Sequence, residues 1–364
     1  MTPGISRRTF SKAALAAATA SRALAVSPPR KEVTWLGEIQ TAPTGPAAEA
    51  GKLRIVGERG EEITSLDAWR REREAIRSWW LRWLGPAPAE RRTPPALEVL
   101  EKDQPGGVIR QRVRYECEPG ITTEAYLLRP ATAAGKLPGV AVFHSTVEHS
   151  IRQPAGVEGQ PEYAFGLQLA RRGCVALCPR NYLWPANDGI DALGEARRFL
   201  QRHPRSKGMM RMLHDAQLAV DILAGLPHVD ADRIGSIGHS LGAKEVLYLA
   251  AFDERVKVTV SSEGGIGTKF SNWNAPWYLG KSIESPDFQR EHHELLALAA
   301  PRPFLLVGGD SADGDRSWPF IAAALPIYKL YGGTPRLGLL NHRAGHAVPP
   351  AAEQRIYEWL EAYL

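Results

Sequence analysis

The sequence predicts an α/β protein, a mostly parallel central sheet flanked by helices with an N-terminal helical extension, and three observations lead there. From Val140 onward, apolar strand-like runs alternate with helix-like runs, as a parallel sheet with crossover helices requires. A strand-like run ends in Gly238-His239-Ser240-Leu241-Gly242 and a helical run begins at once, so strand and helix meet in one tight turn. Beyond it, three more apolar runs each lead into a polar loop: residues 255–261 into Glu263, residues 302–307 into GGDSADGD, and residues 337–340 toward His346. With 364 residues and 44% hydrophobic composition, the chain can bury one large core, and two independent domains are not required.

Residues 1–25 read as a twin-arginine export signal. Paired Arg7 and Arg8 precede Phe10 and Lys12, a weakly apolar AALAAATAS run follows, and Ala23-Leu24-Ala25 offers a small-residue cleavage site. The expected location is therefore periplasmic or secreted. Removing this segment deletes Arg7, Arg8, Lys12 and Arg22 and no acid, which takes the formal charge from +5 to +1. The basicity is largely the signal, so no nucleic-acid partner is expected. No run approaches the ~20 apolar residues needed to cross a bilayer, and no membrane contact is expected after signal removal.

Residues 26–94 form the extension. Residues 30 to 62, rich in Pro, Gly and Ala, read as an irregular surface wrap. Ser65 and Asp67 can then cap a helix running to Trp83 and ended by Gly85, Pro86 and Pro88. Its WRREREAIRSWWLRW pattern mixes charges with apolar positions at helical spacing, which fits an amphipathic helix packed on the domain.

The main domain spans residues 95–364. It opens with β-rich segments at 96–102, 108–116 and 121–128, separated by Gly turns, which read as an antiparallel entry to the sheet. Strand 140–143, helix 164–172, strand 174–178, helix 209–226, strand 234–237 and helix 243–252 then alternate, and a terminal helix covers 353–364. Cys174 and Cys178 lie in one strand-like run, about 13 Å apart at ~3.3 Å per residue, too far for a disulfide. Cys117 leaves the number odd, and no disulfide framework follows.

The turn at 238–242 carries the chemistry. A serine hydroxyl is a weak nucleophile, so it needs exposure on a sharp turn, an adjacent base, and backbone N–H groups aimed at the future oxyanion. Ser240 is the candidate nucleophile, with Gly238 and Gly242 leaving room for the turn and the N–H of Leu241 available for the oxyanion. His346, in AGHAVPP before the terminal helix, is the candidate base, and His342 reads as structural. Two acids can orient it: Asp313, the first choice, and Glu263, whose longer side chain can reach from the other side. The loop FHSTVEHS should give a second oxyanion N–H, from Ser145 or Thr146, with His144 fixing that loop by hydrogen bonding. His214 and Asp215 read as helix-packing groups. His292 and His293 are adjacent and face different ways, no H-E-x-x-H occurs, and neither a metal nor a cofactor is expected.

The segments FHSTVEHSIRQPAG, ARRGCVALCPRNY, HVDADRIGSIGHSLG, AAFDERVKVTVSS and LAAPRPFLLV together resemble the dienelactone hydrolase-like and acetyl xylan esterase-like branch of the alpha/beta-hydrolase family, over residues 95–364. The resemblance implies Ser240 as nucleophile, Asp313 as acid, His346 as base, and Ser145 and Leu241 at the oxyanion hole. Ser240 stands where dienelactone hydrolases proper carry Cys, which favours ordinary ester hydrolysis over lactone opening. SSEGGIG resembles the acidic loop of glucuronoyl esterases, in which a Glu at the position of Glu263 can be the catalytic acid. Those enzymes usually carry Arg where this chain has Leu241, and Lys244 does not simply replace it.

The loop FSNWNAPWYLG brings Trp273, Trp277 and Tyr278 together with Asn272 and Asn274. With Lys244, these aromatic faces and amides suit a sugar ring, and a packed lid with buried aromatics is the alternative. The expectation is a secreted serine carboxylesterase acting on small-molecule or carbohydrate esters. The alternatives are a serine peptidase of the prolyl-oligopeptidase type, a glucuronoyl esterase-like enzyme, and a non-catalytic binding module on the same scaffold.

Overall fold

The computed structural model of the chain describes residues 32–44, 53–90, 93–185 and 189–364. The export-signal segment lies outside them. The strands are β1 (Glu98–Asp103), β2 (Val108–Glu118), β3 (Ile121–Pro130), β4 (Leu137–Phe143), β5 (Val175–Pro179), β6 (Val229–His239), β7 (Val256–Ser262), β8 (Phe304–Gly308) and β9 (Leu337–Asn341). They form one nine-stranded sheet in the order β1-β2-β3-β5-β4-β6-β7-β8-β9. The first three strands pair antiparallel, β3 pairs antiparallel with β5, and every pair from β5 through β4 to β9 is parallel. This is the alpha/beta-hydrolase fold.

The helices are α1 (Leu36–Ile39), α2 (Leu66–Leu84), α3 (Phe165–Arg171), α4 (Ala192–Arg202), α5 (Gly208–Gly225), α6 (Leu241–Phe252), α7 (His293–Ala299), α8 (Trp318–Leu330) and α9 (Pro350–Tyr363). The parallel strands are buried on both faces, so they read as continuous apolar runs that nevertheless sort by the period of two. In β8, Leu305 and Val307 join the cluster under α3 and α9, whereas Phe304 and Leu306 join the cluster with α6, α7 and α8.

α2 starts where Ser65 Oγ accepts from Ala68 N at 3.2 Å and ends at Gly85, whose φ of 87° suits only glycine. It buries Trp69, Ile76, Trp80 and Leu84 against the core. The stretch after residue 30, expected to be an irregular wrap, contains α1, which buries Leu36 and Ile39 and contacts β9, while Trp35 just before it packs on Trp359 of α9. Gly338 allows that contact, since a Cβ there would collide with Ile39.

Register puts the polar loops side by side. Phe143 pairs with Gly238, His239 with Ser262, Ser262 with Val307, and Gly308 with Asn341. The loops after β4, β6, β7, β8 and β9 therefore leave the same carboxyl edge of the sheet in adjacent positions, where ligands bind in open parallel sheets. Cys117, Cys174 and Cys178 are free and buried. Among the described residues, no helix is long and apolar enough to cross a membrane.

Candidate active site

Ser240 sits between β6 and α6 with φ 57° and ψ −112°, a conformation that non-glycine residues rarely adopt. Its amide is fixed by a 2.8 Å bond to the carbonyl of Ser262 on the next strand. Gly238 and Gly242 are required by space: a Cβ on the first would collide with the carbonyl of Gly242, and a Cβ on the second with the carbonyl of Phe143. The helix start is thereby pressed onto the end of β4. Leu241 is the first residue of α6, so its N–H is among the amides a helix leaves without an internal partner.

The loop after β4 is held by His144, which is buried. Its Nε2 lies 3.1 Å from the backbone N–H of Asn181, which can only donate, so Nε2 carries no proton. Nδ1 then donates to the carbonyl of Ser145 at 2.7 Å. Burial holds this imidazole neutral, pushing its pKa down to about 4. The expected loop-fixing role of His144 matches this geometry. Ser145 differs from expectation: its N–H donates to Gln153 Oε1 at 3.0 Å, so the amide is engaged, while its buried Oγ has no partner. A glutamine eight residues downstream competes for that amide, and no local pattern announces it.

His346 follows β9 with its side chain 46% exposed, and its Nδ1 lies 3.2 Å from Oε2 of the fully buried Glu263. Glu263 directly follows β7 in a left-handed conformation, φ 55°, with its N–H bonded to the carbonyl of Val307 at 2.9 Å. Oε1 accepts from the N–H of Gly309 and Oε2 from that of Ala312, at 2.6 Å for the latter. Three donors converge on this carboxylate.

Asp313, the first choice as acid from the sequence, faces elsewhere. It is completely buried and accepts from the N–H of Gly265 at 2.7 Å, the N–H of Ile266 at 2.8 Å and the hydroxyl of Ser317 at 2.7 Å. Burial raises its pKa, with the three hydrogen bonds opposing. The left-handed backbone of Glu263 swings the longer carboxylate onto His346, and the neighbouring acid is left to bind the backbone of the same loop.

Two groups beside His346 were not anticipated. His239, within the turn itself, is buried with its ring 4.8 Å from that of His346 and 5.0 Å from that of Tyr163. Its Nδ1 is 3.0 Å from Ser262 Oγ, and burial followed by the nearby His346 pushes its pKa down to about 3. The Tyr163 hydroxyl reaches the carbonyl of His346 at 3.3 Å. An aromatic in the second position of the pentapeptide is the signal that could have pointed to this packing.

The residues expected to bind a sugar take a different place. Trp273 and Tyr278 are buried, and Lys244 is only 4% exposed. The Lys244 ammonium lies 4.3 Å above the Trp273 ring and 5.3 Å from that of Tyr278, and it donates to the carbonyl of Gly264. Burial pushes it down to about 7, against the opposing charge of Asp313. Asn272 and Asn274 are exposed, but of the aromatic residues Trp277 alone is partly exposed, and its carbonyl accepts from the Tyr182 hydroxyl at 3.2 Å. The aromatic loop is a packed lid because its rings enclose a lysine of α6, the helix that begins after Ser240. Among the described residues, no group of three or more His, Cys, Asp or Glu side chains could hold a metal ion.

Residues 123–283 match the model of the dienelactone hydrolase family, a span that includes Ser240 and Glu263. A Bacillus subtilis (strain 168) protein named "Putative hydrolase YtaP" is 26% identical over 239 residues, 63% of this chain and 77% of its own length. Among solved structures, a glucuronoyl esterase from Solibacter usitatus superposes with a TM-score of 0.69 at 20% identity, covering 89% of this chain and 98% of its own. A "putative acetyl xylan esterase" from Bacteroides fragilis NCTC 9343 gives 0.58 at 17% identity, covering 82% and 81%. Residues 123–283 are thus similar to the dienelactone hydrolase family, within an alpha/beta-hydrolase fold.

Proposed function

We propose that the protein is an exported serine hydrolase that cleaves carboxylic esters through an acyl-enzyme, with carbohydrate esters as its substrate class. The observation that carries this reading is the 3.2 Å contact from His346 Nδ1 to Glu263 Oε2, on the sheet edge that also bears the glycine-flanked Ser240. An ionised carboxylate only accepts, so Nδ1 carries the proton and Nε2 is the lone-pair nitrogen left for the serine. In the first step Nε2 takes the Ser240 proton as Oγ attacks the ester carbonyl. Glu263 stabilises the imidazolium, and the Leu241 N–H stabilises the oxyanion, a contact worth about 10²–10³ in rate. Collapse expels the alcohol with the proton from His346. Water, deprotonated by the same imidazole, then releases the acid and restores Ser240.

The carbohydrate part of the reading draws on the esterases among the structural relatives, and export draws on the twin-arginine pattern of residues 1–25. Ser240→Ala should abolish hydrolysis of p-nitrophenyl acetate while leaving the melting temperature unchanged. Retained turnover would remove Ser240 from the mechanism. A panel of acetylated sugars, uronate esters, aryl esters and lactones tests the substrate class, and preference for simple aryl esters over every sugar ester would reject it.

A further inference from the structure

The loop that follows Glu263 is held by an unusual run of buried side chains. The carbonyl of Gly264 accepts from Lys244 Nζ. Next, the N–H of Gly265 donates to Asp313 Oδ2 at 2.7 Å, and its carbonyl accepts from Trp273 Nε1 at 2.7 Å. The N–H of Ile266 donates to Asp313 Oδ1 at 2.8 Å, and its carbonyl accepts from His292 Nδ1 at 2.7 Å. Five consecutive backbone polar groups are thus each taken by a side chain that is at most 4% exposed.

A buried loop needs its polar groups satisfied, but this one is satisfied from three separate elements. Lys244 comes from the nucleophile helix α6, one turn after Ser240, so the helix that carries the nucleophile reaches under the loop that carries the acid. Asp313 comes from the loop after β8, and Trp273 and His292 come from the insertion before α7. A buried ammonium is costly unless compensated, and here two ring faces and the charge of Asp313 surround it. At the head of this loop Glu263 holds φ 55°, a conformation that persists only when its surroundings over-determine it.

We propose that Lys244 and Asp313 are positioning residues: together they clamp residues 264–266 and so hold the carboxylate of Glu263 in register with His346 and the Ser240 helix. This rests on Glu263 orienting His346, as argued under Proposed function. It assigns the acid after β8 to the support of the acid after β7, and it turns the lysine on the nucleophile helix into the tie between nucleophile and acid. The pair acts only through Glu263.

Steady-state hydrolysis of p-nitrophenyl acetate by the full chain, with Lys244→Met, Glu263→Gln and the double variant, tests this dependence. Lys244→Met should lower kcat about ten- to a hundredfold with KM changed less than about twofold, because a misplacement near 1 Å costs that much. In the Glu263→Gln background the same substitution should cost less than about twofold, since its target is already disabled. An equal cost in both backgrounds would overturn the proposal. Trp273→Phe keeps an aromatic face near Lys244 but removes the bond to Gly265 and one ring of the indole, and in a variant that folds it must show the same dependence on Glu263. If Glu263→Gln alone left kcat intact, the triad reading would fail instead, which is a distinguishable result.

Discussion

Gly309 links Glu263 to the loop of His346. Its N–H donates to Glu263 Oε1, and its carbonyl accepts from the N–H of Gly345 at 2.7 Å. The loops of Glu263 and His346 are thus joined through the two sides of one residue. A Cβ there would collide with the carbonyl of Gly345, a backbone atom that cannot rotate away. Gly309→Ala should lower stability by about 1–3 kcal/mol, as overpacking does, and kcat by about tenfold or more as the base loop shifts. Urea denaturation and p-nitrophenyl acetate turnover check both, and an unchanged kcat would show that the base loop tolerates the shift.

Glu263→Gln and Asp313→Asn should separate in turnover. Each sets an NH₂ against a buried backbone N–H, but the first also removes the charge beside His346 and should cost about 10²–10⁴ in kcat. The second sets an NH₂ against backbone N–H donors in a fully buried site, which should cost about 1–3 kcal/mol of stability. Its effect on kcat should remain well below that of Glu263→Gln. Comparing melting temperatures with turnover decides it, and a greater loss of turnover in the Asp313 variant would restore Asp313 as the acid.

The turn around Ser240 was legible because glycines at fixed offsets are demanded by close backbone approach, and the same holds for the strands whose apolar runs are buried on both faces. Both acids were also legible as candidates. What the sequence did not carry was the left-handed backbone at Glu263, which arises from loop packing and decides which carboxylate meets His346. The aromatic loop was ambiguous for a related reason. Trp273, Tyr278 and Lys244 have the same composition whether they face a sugar or one another, and only the approach of α6 beneath the loop makes them a closed cage. Ser145 was misjudged because Gln153 competes for its amide from a turn with no regular pattern. α7 is buried at every residue and α8 at most of its residues, so neither shows a clear apolar stripe.

His144 should be a positioning residue for the loop after β4. His144→Phe keeps the aromatic contact with Trp184, now at 4.6 Å between ring centres, but strands the N–H of Asn181 and leaves the carbonyl of Ser145 with the Val147 N–H alone. One buried N–H without a partner should cost about 1–3 kcal/mol. The loop should loosen before the sheet does. Hydrogen exchange at residues 144–150 reads this directly, and unchanged protection there would exclude the role.

Four buried histidines make stability depend on pH in a stated direction. Burial pushes His239 and His292 down to about 3, and His144 and His293 to about 4. In the unfolded chain each titrates near 6.5. Between about 4 and 6.5 the unfolded state therefore binds more protons than the folded state, and stability rises with pH across that window. Their contribution is complete above 6.5 and lost as the pH falls through the folded values. Buried carboxylates with raised pKa, such as Asp313 and Glu294, act in the opposite sense, so the comparison must be made between variants. His292→Phe removes one titrating imidazole along with its bonds to Ile266 and Tyr248. It should lower stability at pH 7 and flatten the rise between pH 4 and 6.5. Urea denaturation at several pH values measures the slope, and an unaltered slope would mean that His292 is protonated in the folded protein.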